Sequence, residues 1–470
     1  MVGIRRVATA LGAAVVVVGG GGAAVVAYRS AHRAPTASPS VSPSASPSVP
    51  AVPVPSRSPF ELAATPPAGP AAVPDGVARA LARPLADPAL GARVDVSVLD
   101  AASGTSLYDR GSGVAVVPAS TAKLFTAAAA LRVLGPDRRL ETRVYAAGPI
   151  AHGVLTGNLV VVGGGDPTLS AVVGPAPYPG PARLADLARQ VRAAGIAKVT
   201  GVVVLDTTLF RTPGLGPAWK PTYVSEGSIT PVSALEVDGG RVRGKTARDA
   251  VPDIAAAARL RAALGRAGVT VAQAYVHARL PMTATQVASV SSPTVAALVE
   301  RMLTRSDNDL AEALARHVAI ARRLPTDFAG AAAAVAATVR ELGLNAPALV
   351  DASGLSPRDR VTPAQLVALL ALATRDASLA PLLAGLPVAG FTGTLASRYA
   401  TGPATGAAGR VRAKTGSLDN VATLAGVVET RSGRLLVFAF AADRLPTRFV
   451  GAAAKALDVA AAALAACGCG

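Results

Sequence analysis

Histidine is scarce in this chain, four residues in 470, and no Gly-x-Ser-x-Gly elbow accompanies any of them. A Ser-His-Asp hydrolase would need His152, His277 or His317, and none of the three lies in a supporting motif. The only cysteines, Cys467 and Cys469, form a Cys-Gly-Cys tail. Two thiols make half a zinc site at best, and a bridge across one residue would be strained. The tail is therefore read as a frayed terminus, and the folded part as free of disulfides. Neither a metal nor a cofactor is expected. Gly163-Gly164-Gly165-Asp166 follows a strand pattern but lacks the Lys of a phosphate loop.

Aromatic residues make up only 3% of the chain, so any core must be built mostly from Ala, Val and Leu. The formal charge of +17 favours anionic surroundings such as lipid headgroups or wall polymers. It does not argue for nucleic acid, because no recognition motif or aromatic stacking platform accompanies it. Most of the arginine is read as scattered over solvated faces.

Arg5 and Arg6 precede an uncharged stretch of 22 residues, Val7 to Tyr28, which Arg29, His32 and Arg33 close. That length suffices to span a bilayer as a helix. An uncleaved membrane anchor within residues 1–34 is favoured over a cleavable signal peptide, for which Val25-Val26-Ala27 would offer the small residues. Residues 35–72 are mostly Ser, Pro, Ala and Val, a composition that cannot bury a core and extends at ~3 Å per residue. This is the pattern of a stalk.

Lysine is also rare, six against forty arginines, and two of the six fall in short motifs. Those motifs run in the order Ser120-Thr121-Ala122-Lys123, Ser306-Asp307-Asn308 and Lys414-Thr415-Gly416. No other Lys has a Ser three residues before it or a Thr-Gly after it. Alternation predicts a strand at Val94–Leu99 paired with Thr105–Tyr108, and Pro118 then leads into a helix over Ser120–Leu134. Ser120 and Lys123 would share one helix face, so the amine can reach the hydroxyl, and the helix N-terminus favours developing negative charge. A Ser in that place is also an ordinary helix cap. Ser306-Asp307-Asn308 lies between helical patterns Val295–Thr304 and Asp309–Ile320, where it could cap or aim side chains into a cleft. Lys414 is predicted to end a short strand, 409–413, leaving Thr415, Gly416 and Ser417 as exposed backbone donors. A hairpin over Val421–Thr430 and Arg434–Ala441 and a final helix over Phe449–Ala466 complete the reading.

With these residues in view, the chain resembles the penicillin-recognising serine acyltransferases. More narrowly, over nearly all of residues 90–465, it resembles the D-alanyl-D-alanine carboxypeptidase/endopeptidases, the class C low-molecular-mass penicillin-binding proteins. Pro118–Leu124, Gly163–Leu169, Asp351–Ser356, Arg412–Ser417 and Gly393-Thr394-Leu395 with Arg398 carry the likeness beyond the three motifs. The resemblance implies an α/β (α+β) fold: a transpeptidase/β-lactamase-like domain with a central antiparallel sheet flanked by helices. That domain would comprise residues 73–145 and 290–470, interrupted by a reduced inserted domain at 146–289. A third domain nested in fuller relatives would be represented only by Val237–Pro252.

The resemblance further implies a serine-type D-Ala-D-Ala carboxypeptidase, with endopeptidase activity second, acting on peptidoglycan stem peptides and acylated by β-lactams. Ser120 would be the nucleophile and Lys123 its general base. Ser306 would relay a proton to the leaving group, and Asn308 would position Lys123 and the substrate amide. Lys414 and Thr415 would bind the terminal carboxylate, while Gly416, Ser417 and Arg358 would complete substrate binding. The N–H groups of Ser120 and Ser417 would form the oxyanion hole. Two positions depart from the family pattern. Trp219 is followed by Lys220-Pro221-Thr222-Tyr223 rather than by acidic residues, and Pro357 stands where an Arg is common, with Arg358 one later. Alternatives are a β-lactamase-like hydrolase, against which the absence of a Glu-x-x-Leu-Asn segment counts, and a catalytically silent wall-binding scaffold. The expected location is the cell membrane, single-pass, with the catalytic domain outside. Full-length protein should then stay with membranes through a high-salt wash, and complete release would show that residues 1–34 do not anchor it.

Overall fold

Two apolar runs near the C-terminus, Val421–Glu429 and Leu435–Ala442, carry almost no polar residue on either face. Strands of this composition must be covered on both sides. In the computed structural model, which describes residues 70–469 apart from 173, 177, 212, 213 and 243, they are central strands of a five-stranded antiparallel sheet. The expected anchor, and the expected stalk up to residue 69, lie outside the described residues. With β1 (Asp95–Asp100), β2 (Ser106–Arg110), β11 (Val411–Leu418), β12 (Val421–Glu429) and β13 (Leu435–Ala442), the order is β11-β12-β13-β1-β2. The predicted pairing of β1 with β2 and the predicted hairpin β12–β13 both form.

The strand period divides β13 between two cores. Val437, Ala439 and Ala441 face a helical layer, whereas Leu436, Phe438 and Phe440 face the C-terminal helix Val450–Ala466. Alanine dominates the helix face turned to the sheet (Ala453, Ala456, Ala460, Ala461), which fits a chain with few aromatics. This helix, extended to Thr447–Ala466, is long and apolar enough to cross a bilayer, but half of its most apolar window is buried in the protein. Packing of this kind is that of a core helix. The tail is not frayed. Cys467 and Cys469 are joined by a disulfide, and the Cys469 carbonyl accepts from Val73 N at 2.6 Å. The pairing of the terminus with residue 73 is long-range, so local sequence could not show it.

The helical layer centres on Lys123–Leu134, in which nine consecutive residues from Lys123 to Leu131 are buried. Helices Val295–Arg305, Asn308–Ala321, Phe328–Glu341 and Pro363–Ala373 enclose it in one apolar cluster.

Between Glu141 and Ser291 the chain builds a second sheet. It comprises β3 (Glu141–Ala147), β6 (Asn158–Val162), β8 (Val203–Asp206), β9 (Tyr275–His277) and β10 (Thr285–Ser291), ordered β10-β3-β6-β8-β9. The pairs β6–β8 and β8–β9 are parallel, and helices Leu184–Ala193 and Pro252–Arg266 occupy the two connections. A small sheet of β4 (Ile150–Ala151), β5 (Val154–Leu155) and β7 (Lys198–Val199) flanks it. The chain enters and leaves side by side: Leu140 N donates to Ser292 Oγ at 2.9 Å, and Ser292 N to Leu140 O at 2.8 Å.

Truncation of Phe440, fully buried between sheet and C-terminal helix, should cost about 3–5 kcal/mol. Urea unfolding of Phe440→Ala will read this, and a loss below about 1 kcal/mol would show that this face does not carry the core.

Candidate active site

Lysine is rarely buried, because its ammonium loses hydration that only close partners can replace. Lys123 is fully buried, and its Nζ lies 2.9 Å from Ser120 Oγ, 2.6 Å from Asn308 Oδ1 and 2.5 Å from Ser353 O. Burial lowers its pKa to about 8, against the opposing pull of Asp351, Asp307, Glu312 and Asp309. Two of the three partners are carbonyl oxygens and can only accept. A neutral amine would spend both N–H bonds on them and turn its lone pair to the Ser120 hydroxyl. That is the orientation of a base.

Each partner arrives from a different element. Ser120 sits in a short 3-10 turn, Ala119–Ala122, one turn before the α-helix that begins at Lys123. Its predecessor Ala119 has φ 48°, a left-handed conformation that non-glycine residues seldom adopt. The Ala119 carbonyl presses on Gly354, which has φ 78° and no space for a Cβ. Asn308 opens the helix Asn308–Ala321, capped by Asp307 Oδ1 on Leu310 N, and its Nδ2 donates to Ser228 O at 2.8 Å. Ser306 is the half-buried cap of the preceding helix, at φ 56°. As predicted, the motif is a turn between two helices.

The third motif departs from expectation. Lys414 does not end a strand: β11 continues through Thr415 and Gly416 to Leu418. Val411 O and Ala413 N turn away from β12 to bond the 387–389 segment. By the period of the ladder, Thr415 and Ser417 direct their main-chain groups the same way. Lys414 is buried, with Nζ on Thr415 O at 2.9 Å, and Thr415 Oγ1 meets Thr394 Oγ1 at 2.8 Å. Burial first, and then the nearby Lys123 and Arg398, hold its pKa well below the usual lysine value. Gly416 has a packing reason: a Cβ there would come within 2.7 Å of Pro118 O and 3.1 Å of Ser120 N. Ser417 is exposed. Arg358 is exposed too, its N–H donating to Ser356 Oγ at 3.2 Å.

Sequence reasoning missed the groups behind these partners. Ser353 O is presented by the loop 351–356, and Glu312 Oε1 accepts from both Ala352 N and Ser353 N at 2.9 Å. Asp351 Oδ1 accepts from Ser353 N and Gly354 N, and Oδ2 from Ser356 N and Trp219 Nε1. Burial and the neighbouring Asp351 push Asp359 up to about 9, so this carboxyl is protonated at neutral pH and can lie beside Asp351 without repulsion. Glu312 pairs in turn with fully buried Arg316, Oε2 to Nη1 at 2.9 Å, and Arg316 stacks 4.3 Å over the Phe328 ring. The i,i+4 pair Glu312–Arg316 in the helix was the legible signal. Among the described residues, His317 contacts Gly164 O at 3.1 Å and His277 pairs with Asp253.

Glu312→Gln should destabilise the protein by about 3–5 kcal/mol, because it leaves the Arg316 guanidinium buried and unpaired. Denaturant unfolding will check this, and a change below about 1 kcal/mol would mean that solvent reaches the pair.

The profile of the D-Ala-D-Ala carboxypeptidase 3 (S13) family matches residues 77–256 and 244–464. A carboxypeptidase of Mycobacterium tuberculosis is 38% identical over 399 residues, covering 82% of this chain and 82% of that protein. Carboxypeptidase DacB of Mycolicibacterium smegmatis is 40% identical over 390 residues, covering 79% and 80% respectively. Among solved structures, penicillin binding protein 4 of Haemophilus influenzae overlays with a TM-score of 0.66 at 24% identity, across 78% of this chain and 92% of its own.

Proposed function

The chain belongs to the D-Ala-D-Ala carboxypeptidase 3 (S13) family, and on that premise we propose that it hydrolyses the terminal D-Ala-D-Ala bond of peptidoglycan stem peptides through an acyl-enzyme on Ser120. The observation that carries this reading is the Lys123 amine, buried and held by two carbonyl acceptors with its third contact on the Ser120 hydroxyl. Ser120 Oγ attacks the carbonyl of the penultimate D-Ala as its proton passes to Lys123 Nζ. The oxyanion that forms is stabilised by the N–H groups of Ser120 and Ser417, each worth about 3–4 kcal/mol in comparable sites. The C–N bond then breaks, and the proton reaches the departing amine from Lys123 by way of Ser306. Water, deprotonated through Lys123, attacks the ester and restores the Ser120 hydroxyl.

Lys414 and Thr415 bind the terminal carboxylate. Burial holds the Lys414 pKa below the usual lysine value, and an anion beside it favours the charged form. Asn308 holds Lys123 and the substrate amide, and Gly416, Ser417 and Arg358 line the remaining contacts. Penicillin acylates the same serine. Cleavage of crosslinks, the endopeptidase reaction, is second to carboxypeptidase cleavage. The catalytic unit comprises residues 73–145 and 290–470 around an insert at 146–289. It works outside the cytoplasmic membrane, tethered by residues 1–34 and spaced by 35–72. Support comes from the site of the substrate and from the apolar N-terminal stretch.

Fluorescent penicillin should label the wild type, and neither Ser120→Ala nor Lys123→Arg, since arginine stays protonated. The wild-type labelling rate should fall about tenfold per pH unit below pH ~8 and level off above it, because only neutral Lys123 accepts the proton. Normal labelling of Lys123→Arg would remove the base assignment, and an unlabelled but folded wild type would remove the acyl-enzyme.

A further inference from the structure

The residues on either side of Asn308 are Asp307 and Asp309, and both are only 4% exposed. Each carboxylate receives an arginine from a single short loop, residues 238–249. Arg241 Nη2 lies 3.2 Å from Asp307 Oδ2, and Arg248 Nη1 lies 3.2 Å from Asp309 Oδ2. The two arginines face each other as an isolated antiparallel bridge, so one backbone unit delivers both charges.

The rest of the loop is arranged to hold that unit. Asp238, Gly239 and Gly240 are three consecutive left-handed residues, with φ near 57°, 59° and 60°. The first is not glycine and carries strain. A Cβ on Gly240 would come within 2.7 Å of Thr230 Cγ2, so the turn lies flat against its neighbour. Arg248 Nε donates to Gly227 O at 2.9 Å, and Arg259 pairs with Asp249 at 2.8 Å. Tyr178 OH donates to Asp307 Oδ2 at 3.0 Å and accepts from Arg241 Nη1 at 2.6 Å, while Thr230 N donates to Asp309 Oδ1 at 2.8 Å. Burial would raise Asp307, but Arg241, the Leu310 N–H and Arg248 together hold it below the ordinary carboxylate value. Burial, and then the neighbouring Asp309, push Glu236 well above its usual range.

We infer that Arg241 and Arg248 are positioning residues for acyl transfer: one loop of the insert grips both carboxylates that flank Asn308, and thereby sets the amide that meets Lys123. The inference rests on the function proposed above. Its physical basis is the first turn of the helix Asn308–Ala321. Asp307 caps that turn, and Asn308 Oδ1 must stay 2.6 Å from Lys123 Nζ. Without the arginines, two buried carboxylates would lose their guanidinium partners, and turning them towards water would carry Asn308 with them.

The test is the kinetics of penicillin acylation, with saturating rate, half-saturation and final stoichiometry measured separately. Displacing a positioning group by about 1 Å costs on the order of 10²-fold in rate. Arg241→Gln and Arg248→Met should therefore lower the saturating rate on that order, with half-saturation nearly unchanged and labelling still reaching one penicillin per chain. Arg248→Lys, which keeps the charge, should recover part of the rate. A purely structural role would reduce the labelled fraction while each folded molecule reacts at the wild-type rate, and that result overturns the inference. Unchanged rates in both variants overturn it too. If Arg248→Met does not fold, Arg241→Gln decides, because its side chain is 35% exposed and tolerates change. A folded wild type that takes no label at all is a different failure, that of the proposed function itself.

Discussion

A lysine amine with no access to water is the constraint on which the rest of this site depends. Fully buried Lys123 remains only because three oxygens stand within hydrogen-bond distance. Each oxygen must be fixed by something other than the lysine. Thr126 Oγ1 and Glu312 fasten Ala352 and Ser353 by their main-chain groups, and the Asn308 amide is tied to Ser228 O. The Ser120 turn is pinned by Gly354 on one side and Gly416 on the other, where no side chain would fit. Loss of any one support would leave either a buried charge or a buried polar atom unpaired, both costly in a low-dielectric interior.

Charge placement follows from the same constraint. Carboxylates near Lys123 raise its pKa and burial lowers it, and the balance lies near 8. That balance requires the surrounding acids to be compensated. Glu312 has Arg316, Asp307 has Arg241, Asp309 has Arg248, and Asp359 stays protonated beside Asp351. Arginine suits this duty better than lysine: its guanidinium keeps its charge when buried and reaches two acceptors at once. Both fully buried lysines fall in motifs, and the buried ion pairs are made by arginine. The excess of arginine was read as solvated surface, and several of its members have this interior role instead.

Residues from 178 to 248 support the first turn of the helix Asn308–Ala321. They contribute Ser228 O, Thr230 N, Tyr178, Arg241 and Arg248 to its start. Trp219 contributes to the 351–356 loop through Asp351. The segment 237–252, seen in the sequence only as a remnant, carries both arginines of the clamp.

Local pattern determined a good deal by itself. The hairpin β12–β13, the pairing of β1 with β2, the helix after Ser120 and the turn at Ser306-Asp307-Asn308 were all legible, because each depends on periodicity or capping within a few residues. The three motifs were legible for the same reason, each being a run of three or four residues. Tertiary structure alone decided that β11 runs on through Lys414 to Leu418, since its pairing with β12 continues to Leu418 opposite Val421. It alone decided that Cys469 packs against Val73, that Ser353 offers its carbonyl to Lys123, and that Arg241 and Arg248 meet Asp307 and Asp309. Main-chain acceptors have no residue signature, and partners some sixty residues apart or more leave no local pattern. Those contacts exist only once burial has brought the elements together.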